Sequence, residues 1–435
     1  MGLDVFDELQ DFCDRNYYVD VADKLPIFIT SIGAHLFNTV NKCSRCDFDP
    51  ERVPEGGFTI PNCPLRHNNG PIYTPMSRLA DTRVHILMRG VKGSGKNVLI
   101  DLFCAEGTGV LWNPASDMGI GFRTMIGPNS ITEAGMFGSV SDEGDILGRP
   151  LARETCGGFL CFEEFSSVMD ATRKEHSVDT KNQLLTSLDS GRVIKSMRAG
   201  WVRYHTRYTV WGGTQPARFE LESGLDRRFF IIDIEMTPDK ERDYKIAQNR
   251  QANMLPDERA KLAEKVIKLR EWFISRQMAV ALEPPRGVQF SSAFDQWLMK
   301  PEVRSFESDL FRRIAIGYAL MQPEYKGGEI LQVDLDERLK GILDSSLAMR
   351  RNVMDADLHL IRSAFWNKDL PKSTLLKEVA KMITMGDYQS AKRWVEENLI
   401  GRGWYREFTP KGSGGRGRKG VCCRFGFEDD REESA

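Results

Sequence analysis

The chain has 435 residues, a formal net charge of −2 and 41% hydrophobic residues. This length exceeds that of a typical domain and the composition is that of a folded globular protein, so we expect two or three domains. The near-neutral charge excludes a uniformly basic coat for nucleic acid, although it allows a local basic patch. No run of 18 apolar residues occurs and the first residues are acidic, so the sequence predicts neither a membrane span nor a secretory signal.

Residues 1–80 divide into a helical part and a cysteine-containing loop. Apolar residues at helical spacing predict helices over about the first 40 residues, and the stretch that follows is rich in Pro, Gly and Asn. Cys43, Cys46, Cys63 and His67 form a C-x2-C pair and a C-x3-H pair, a combination that fits tetrahedral Zn²⁺. Free thiols in a reducing cytoplasm are the alternative, and the odd total of nine cysteines favours reduced thiols.

Residues 81–236 alternate between strand-like and helix-like patterns. This alternation predicts an α/β fold, in which helices cover both faces of a parallel sheet. The strand candidates are residues 84–88, 109–112, 159–162, 208–211 and 229–234, and the helix candidates are residues 95–104, about 130–137, and 178–190.

A glycine-rich loop follows the first strand candidate. Residues 90–97 read Gly-Val-Lys-Gly-Ser-Gly-Lys-Asn, which fits the pattern G-x4-G-K. In such a loop the backbone N–H groups turn inward on the phosphates of a nucleotide, and the lysine reaches the outer phosphates. The residues assigned to ATP here are Gly90, Gly93, Ser94, Gly95, Lys96 and Asn97. Asn97 stands where Ser or Thr usually offers Mg²⁺ a hydroxyl, so its amide oxygen is the candidate metal ligand.

Polar residues follow two further strand candidates. Glu163 and Glu164 come directly after an apolar strand, where ligands bind in open α/β sheets. We assign Glu163 to Mg²⁺ and Glu164 to the polarisation of the attacking water. A surface acidic pair is the alternative for these two glutamates. Gln215, or as second choice Thr214, ends the next strand and could contact the γ-phosphate.

Arginines at 227 and 228 precede the last strand candidate. An arginine in this position can complete the ATP site of a neighbouring subunit and stabilise charge on the transferring phosphoryl group. The alternative for each is a salt bridge within its own subunit.

In order and spacing these segments resemble AAA+ ATPases, and more closely the minichromosome maintenance (MCM) helicases with their viral and plasmid relatives. The MCM glycine loop reads G-D-P-G-T-A-K-S, its acidic strand G-x-x-x-I-D-E-F, its next strand ends A-N-P, and its finger motif is L-L-S-R-F. The matching segments are residues 90–97, 158–165, 214–216 and 225–229. The last match favours Arg228 as the finger. Asn97, Glu163 and Gln215 depart from the Ser, Asp and Asn of the family.

The resemblance implies a ring, expected to be a homo-hexamer, with ATP between subunits and DNA in a central channel. It implies that residues 237–366 form a helical lid with an arginine near the nucleotide, for which Arg313 is preferred over Arg312. We expect no counterpart of the large N-terminal DNA-binding domain of cellular MCM proteins, because fewer than one hundred residues precede the loop in this sequence. This difference indicates a viral or plasmid type.

Hairpins between these motifs contact DNA in the family, and two segments here correspond to them. Residues 139–148 are short and acidic, whereas residues 191–203 form two strand-like runs around a basic turn. Lys195 and Arg198 are the expected phosphate contacts, which give affinity without sequence preference. A solvated basic hairpin without a ligand is the alternative.

Residues 367–427 follow the pattern of a winged helix. Two amphipathic helices are followed by a strand, a glycine-rich basic loop and a closing strand, and residues 428–435 form an acidic tail. Arg416, Arg418 and Lys419 in the loop are the candidate contacts to duplex DNA. A winged helix that docks on protein is the alternative.

These observations predict an ATP-dependent DNA helicase or replication initiator that uses Mg²⁺, binds single-stranded and duplex DNA, and has no membrane partner. The expected location is the cytoplasm of a prokaryotic cell, archaeal or virus-infected. One alternative is a non-helicase AAA+ regulator that melts an origin or activates transcription. Another is a degenerate, inactive subunit, which Asn97 motivates.

Overall fold

The computed structural model describes most of the chain outside residues 40–80. The described residues are 2–39, 81–90, 93–114, 122–128, 131–140, 146–147, 150–165, 168, 178–189, 191–198, 200–215, 228–234, 237–283, 285, 287–365, 369–383, 387–396, 399, 405–408 and 422–425. The chain folds into two compact units, Met1–Pro216 with Arg227–Ala348, and Ala217–Asp226 with Met349–Ala435.

A parallel sheet lies at the centre of the first unit, as the alternating pattern predicts. Its strands are β1 (His85–Gly90), β2 (Arg123–Ile126), β5 (Gly158–Phe162), β8 (Thr209–Thr214) and β9 (Phe229–Ile234), and their order in the sheet is β2-β5-β8-β1-β9. β1, which leads into the glycine loop, is therefore flanked by β8 and β9, with Met88 opposite Gly213 and Gly90 opposite Ile234. Nearly every side chain of β1, β5, β8 and β9 is buried, as expected for a parallel sheet covered on both faces.

One face of the sheet is covered by α2 (Leu25–Thr39) and α3 (Val98–Cys104). Phe28 of α2 and Phe103 of α3 stack on each other, and both pack edge-on against Trp211 of β8. Hydrogen bonds also hold α2 to the sheet, since the Ser31 hydroxyl donates to the Val84 carbonyl oxygen at 2.7 Å and accepts from the Trp211 indole. The opposite face carries α6 (Val178–Asp189), whose last turn is bonded to the residues that enter β1.

The sequence predicts a strand over residues 109–112, and this prediction is wrong. The segment instead folds back on α3, where the N–H groups of Val110 and Leu111 donate to the carbonyl oxygens of Leu102 and Phe103. The fifth strand of the sheet is β2 at its edge, which carries only half-buried and exposed side chains. A weakly apolar edge strand gives little periodic signal, so it was not predicted.

Two short hairpins follow β2 and β5 in the chain. β3 (Ser139–Val140) pairs with β4 (Ile146–Leu147), and β6 (Arg192–Met197) pairs with β7 (Gly200–His205). The helices beside them are α4 (Glu133–Phe137) and α5 (Leu151–Glu154). Both hairpins predicted from the sequence are therefore present, and β3 lies next to β7.

Residues 237–365 are mainly helical, as expected. The elements are α7 (Pro238–Ala252), α8 (Pro256–Leu282), β10 (Gly287–Phe290), α9 (Ser292–Leu298), a 3₁₀ turn (Ser305–Glu307), α10 (Ser308–Met321), β11 (Ile330–Val333) and α11 (Glu337–Phe365). β10 and β11 form a small parallel pair that the sequence did not predict.

The N-terminal helices belong to the same compact unit as the sheet. α1 (Val5–Arg15) packs on α2 and α8, and α2 crosses α10 very closely. The crossing depends on Gly33 and Gly317, because a Cβ atom on either glycine would collide with backbone of the other helix. α10, which the sequence assigns to a lid, thus packs against the N-terminal helix.

The second unit has a small core formed by α12 (Lys372–Ile383), α13 (Tyr388–Val395) and the end of α11. Three antiparallel strands, β12 (Asp369–Pro371), β13 (Tyr405–Phe408) and β14 (Cys422–Phe425), form a sheet with β14 in the middle. The two helices, β13 and β14 match elements predicted from the sequence, whereas β12 was not predicted. Among the described helices of the whole chain, none combines the length and apolar character that a membrane span needs.

Candidate functional site

The polar motifs converge at the carboxyl edge of the parallel sheet. β5, β8 and β1 are adjacent and parallel, so the residues that follow each strand emerge at the same edge. Glu163 and Glu164 follow β5, Gln215 follows β8, and the glycine loop follows β1. The strand that Gln215 follows, β8, is paired directly with the glycine-loop strand β1.

The described part of the glycine loop needs glycine at two positions. Gly93 has φ +83° and Gly95 has φ +76°, in the left-handed region that side chains rarely adopt. The Val98 N–H donates to the Gly95 carbonyl oxygen at 3.0 Å, so α3 begins directly from the loop. Lys96 and Asn97 lie at this junction and are thereby held at the sheet edge.

Gly213 lets Lys96 and Asn97 approach the end of β8. A Cβ atom at this position would overlap Asn97 Oδ1, lie 2.7 Å from the Glu163 carbonyl oxygen and lie 3.2 Å from Lys96 Cε. The three motifs therefore meet in a space that exists because residue 213 has no side chain. Glycine inside a strand often marks such a close approach.

Glu164 and Gln215 are in direct contact. The Gln215 amide donates to Glu164 Oε2 at 3.1 Å. The turn that carries the glutamates is tied to β8, because the Phe165 N–H donates to the Gly213 carbonyl oxygen at 2.7 Å. Gln215 thus orients the carboxylate of Glu164, and the backbone bond fixes the turn on which that carboxylate sits.

Among the residues that the structure describes, three buried polar atoms at this edge have no hydrogen-bond partner: Ser94 Oγ, Asn97 Oδ1 and Thr214 Oγ1. Asn97 occupies the N-cap position of α3, yet its side chain does not cap the helix. Buried polar groups are ordinarily satisfied, and atoms without partners need an explanation such as ordered water or a ligand. These three atoms belong to segments that the sequence assigns to ATP and Mg²⁺.

The oxygen atoms beside Asn97 suit a hard cation such as Mg²⁺. Asp101 follows Asn97 by one helical turn, and desolvation followed by the negative charge of Glu163 raises the pKa of its carboxyl group. Among the residues that the structure describes, no three His, Cys, Asp or Glu side chains lie close enough to hold a metal by themselves. Mg²⁺ commonly takes one or two protein ligands together with substrate phosphates and water, so the donor set fits that mode.

Arg313 does not join this site within the same chain. Its guanidinium donates to the Arg83 carbonyl oxygen at 3.1 Å, just before β1 begins. The glycine loop begins at the other end of β1, about 20 Å away for a strand of this length. Arg313 was predicted beside the nucleotide from the family resemblance of its helix, which does not show what packs against that helix.

Arg228 also lies at the amino edge of the sheet, before β9. It forms a salt bridge with Asp189, the last residue of α6. The intrasubunit salt bridge that the sequence analysis left open is therefore present in this structure. From this edge Arg228 cannot reach its own glycine loop, so any contact with ATP would involve another copy of the chain.

The hairpin of β6 and β7 has an inner and an outer face. Val193, Val202 and Tyr204 are buried on the inner face, and the Tyr204 hydroxyl donates to the Phe137 carbonyl oxygen at 3.1 Å. Lys195 is on this inner face too, where its ammonium group lies 2.9 Å from Glu133 Oε1 and its side chain is only 16% exposed. Lys195 is therefore a poor phosphate contact here, contrary to its assignment from sequence.

The outer face and the turn of this hairpin are exposed. Arg192, Arg198 and Ile194 face solvent, and Trp201, paired with Ser196, is 64% exposed. Arg198 stays a candidate phosphate contact. Arginine beside an exposed tryptophan is a combination typical of surfaces that bind single-stranded nucleic acid.

The remaining predicted site residues fall outside the described part of the chain. These are the zinc candidates Cys43, Cys46, Cys63 and His67, the candidate finger Arg227, and the wing residues Arg416, Arg418 and Lys419.

Three residues of functional interest were not predicted from the sequence: Gly213, Asp101 and Trp201. The Gly212–Gly213 pair inside a strand was a usable signal for close backbone approach. The spacing of Asn97 and Asp101, four residues apart at the start of a helix, likewise indicated that they share a face.

No protein-family model matches the sequence, and no curated protein matches it at a significant level.

Proposed function

We propose that this protein is an ATP-driven DNA motor, a helicase or replication initiator of the AAA+ class that resembles MCM proteins. One observation carries the proposal: Lys96, Asn97 and the backbone of Glu163 meet around Gly213 at the carboxyl edge of a parallel sheet, where Gln215 holds Glu164. The buried oxygen atoms without partners at that edge support a polar ligand, and a nucleotide with Mg²⁺ has the required chemistry.

Each residue at the edge has a role in ATP hydrolysis. The backbone of the glycine loop binds the phosphates, and Lys96 places a positive charge on the outer ones. Glu164, held by Gln215, polarises the attacking water. Asn97 and Glu163, with Asp101 nearby, would hold Mg²⁺, which when bound neutralises charge on the phosphates.

Arg228 would serve an ATP bound by a neighbouring copy, after leaving Asp189. Its position at the amino edge, away from its own glycine loop, supports this assignment. α6, whose Asp189 pairs with Arg228, also contacts the β6–β7 hairpin. Gln183 of α6 accepts from the Ile194 N–H at 3.3 Å and donates to the Ile194 carbonyl oxygen. α6 therefore connects the finger position with the DNA-contacting element.

The outer face of the β6–β7 hairpin is the proposed contact for single-stranded DNA. Arg198 would bind phosphate, and Trp201 would stack on a base, an interaction that tolerates any sequence. A winged-helix role for the second unit, with Arg416, Arg418 and Lys419 on duplex DNA, belongs to the same proposal. So do a hexameric ring and a zinc ion bound by Cys43, Cys46, Cys63 and His67.

Strand displacement on a forked duplex, measured together with ATP turnover, tests the proposal. We expect ATP-dependent unwinding and turnover that single-stranded DNA stimulates. DNA-stimulated turnover without unwinding would favour the non-helicase regulator. If the ATP turnover of the wild type is no higher than that of Lys96→Ala, the degenerate subunit is favoured.

The hairpin contact has its own test in single-stranded DNA binding. Trp201→Ala should weaken the affinity for an oligonucleotide about tenfold, since stacking contributes about 1–3 kcal/mol per base. Ser196→Ala, across the hairpin from Trp201, is the matched control and should have little effect. Equal affinities of wild type and Trp201→Ala in fluorescence anisotropy would exclude this face as the contact.

A further inference from the structure

One face of α7 lies against the glycine loop and also against the segment between α1 and α2. The contacts come from Lys240, Tyr244 and Gln251, whose spacing of four and seven residues places them on one side of the helix. The Tyr244 hydroxyl donates to the Ser94 carbonyl oxygen at 3.4 Å, a long hydrogen bond. α7 thus contacts the loop directly through Tyr244.

The ring of Tyr244 fits because residue 95 is glycine. A Cβ atom at Gly95 would overlap the Tyr244 hydroxyl and lie 2.7 Å from its Cζ and 3.0 Å from its Cε1. Desolvation and then the charge of Asp20 raise the pKa of Tyr244, so its hydroxyl remains a donor at neutral pH. Gly95 therefore meets two needs at once, a left-handed backbone and close contact with an aromatic ring.

Tyr244 contacts the loop on the side away from the carboxylates. β9 lies on one flank of β1 and β8 on the other, and α7 follows β9. Gln215 and Glu164 lie on the β8 side. Tyr244 can therefore influence how the loop is held without touching the groups that polarise water.

The same face of α7 holds the segment between α1 and α2. Lys240 pairs with Asp20 at 3.0 Å, and the Gln251 amide donates to the Asn16 carbonyl oxygen at 2.6 Å. In this segment Tyr17 and Asp20 have φ of 55° and 58°, a left-handed conformation that is costly for a tyrosine. Such a conformation persists only where surrounding contacts hold it, and α7 supplies several of those contacts.

We propose that Tyr244 is a positioning residue for the glycine loop. Tyr244 holds the Ser94–Gly95 peptide for phosphate binding, and it links the binding of nucleotide by the loop to the packing of α7 on residues 16–24. The inference rests on the proposed function, because it takes ATP as the ligand of the loop. A loop that is held in its binding conformation loses less entropy when the nucleotide binds. Removal of the Tyr244 hydroxyl should therefore weaken binding and leave the rate at saturation unchanged.

The test is the dissociation constant of a fluorescent ATP analogue with Mg²⁺ for a set of single variants. Tyr244→Phe removes only the hydroxyl and should weaken binding about fivefold, the usual effect of one hydrogen bond. Lys240→Ala loosens α7 without touching the loop and should weaken binding by a smaller factor. Lys245→Ala, on the exposed side of α7 in a pair with Glu241, is the matched control and should change nothing.

A double variant and hydrogen exchange distinguish a positioning role of Tyr244 from a merely structural one. Tyr244→Phe combined with Lys240→Ala should cost less than the product of the two single effects, because both act through the seating of one helix. ATP should slow amide exchange of residues 16–24 in the wild type and not in Tyr244→Phe. The maximal turnover of Tyr244→Phe should match that of the wild type.

The failures of the two proposals are distinguishable. If the wild type binds the analogue and Tyr244→Phe binds it equally well, the role of Tyr244 is overturned and the proposed function is unaffected. If the wild type binds no better than Lys96→Ala, the proposed function fails and the inference fails with it.

Discussion

Buried polar groups at the two edges of the parallel sheet differ in how they are bonded. At the amino edge the Arg83 guanidinium is fully buried, and it binds both carboxylate oxygens of Asp81 and the carbonyl oxygens of Ser187, Leu188 and Tyr208. At the carboxyl edge Ser94, Asn97 and Thr214 each bury an oxygen atom that has no partner among the described residues. The same sheet thus carries a paired buried charge at one edge and buried oxygen atoms without a partner at the other.

The difference separates groups that stabilise the fold from groups that await a ligand. A buried charge costs several kcal/mol unless it is paired, so removal of one partner of Arg83 should destabilise the fold. An unpaired buried oxygen also costs free energy, about 1–3 kcal/mol, which a bound ligand can return. Substitutions at the amino edge should therefore change stability, and substitutions at the carboxyl edge should change binding and turnover.

The largest expected effect is on turnover at the carboxyl edge. Glu164→Gln removes the carboxylate that polarises water while it keeps the shape of the side chain and a partner for Gln215. ATP turnover should fall on the order of 10²–10⁴-fold, the usual contribution of a general base, with nucleotide affinity nearly unchanged. Phosphate release and equilibrium binding measure the two quantities, and wild-type turnover in Glu164→Gln would contradict the assignment.

The next effect concerns stability at the amino edge. Asp81→Asn leaves the buried Arg83 without its counter-ion and should lower the free energy of unfolding by about 3–5 kcal/mol. Asp7→Asn breaks an exposed pair with Arg338 and should cost less than about 1 kcal/mol. Urea denaturation of both variants measures the difference. Similar losses in the two variants would show that the Arg83 network is not what stabilises this edge.

The buried histidines make stability depend on pH. The Val210 N–H donates to His85 Nδ1 at 3.0 Å, so that nitrogen carries no proton. Burial, followed by the charge of Arg83, lowers the pKa of His85 to about 3, and burial lowers that of His35 to about 3. In the unfolded chain each pKa is about 6.5, so the unfolded chain takes up protons first as the pH falls.

Stability should therefore decrease as the pH falls from about 6.5 towards 3, by about 1.4 kcal/mol per pH unit for each histidine. His85→Gln removes one of these groups and should reduce the slope by that amount. Denaturation at several pH values between 6 and 4 measures the slope. An unchanged slope in His85→Gln would mean that His85 is charged in the folded protein.

A smaller effect is expected at Gly213. Gly213→Ala places a methyl group against Asn97 Oδ1 and should weaken ATP binding about tenfold, since overpacking usually costs about 1–3 kcal/mol. Gly287→Ala is the control, because a Cβ atom there has no neighbour within 4 Å. Calorimetric titration with ATP and Mg²⁺ compares the two, and equal affinities would remove Gly213 from the site.

The sequence was informative where the signal is local. Strongly apolar runs predicted β1, β5, β8 and β9, and motif spacing brought Glu164 and Gln215 together correctly. Pairs distant in sequence were beyond it, because the Glu133 partner of Lys195 and the Arg83 partner of Arg313 depend on how elements pack. The docking of α2 on the sheet and on α10 was hidden for the same reason: periodicity shows that a helix is apolar and not what covers it.

Direct titration of wild type and Lys96→Ala with ATP and Mg²⁺ shows whether ATP binds at the carboxyl edge. We expect saturable binding at one site per chain by the wild type and a large loss of affinity in Lys96→Ala, with the unfolding transition of the variant unchanged. Absence of binding by the folded wild type, or equal binding by both proteins, would exclude ATP binding at this edge.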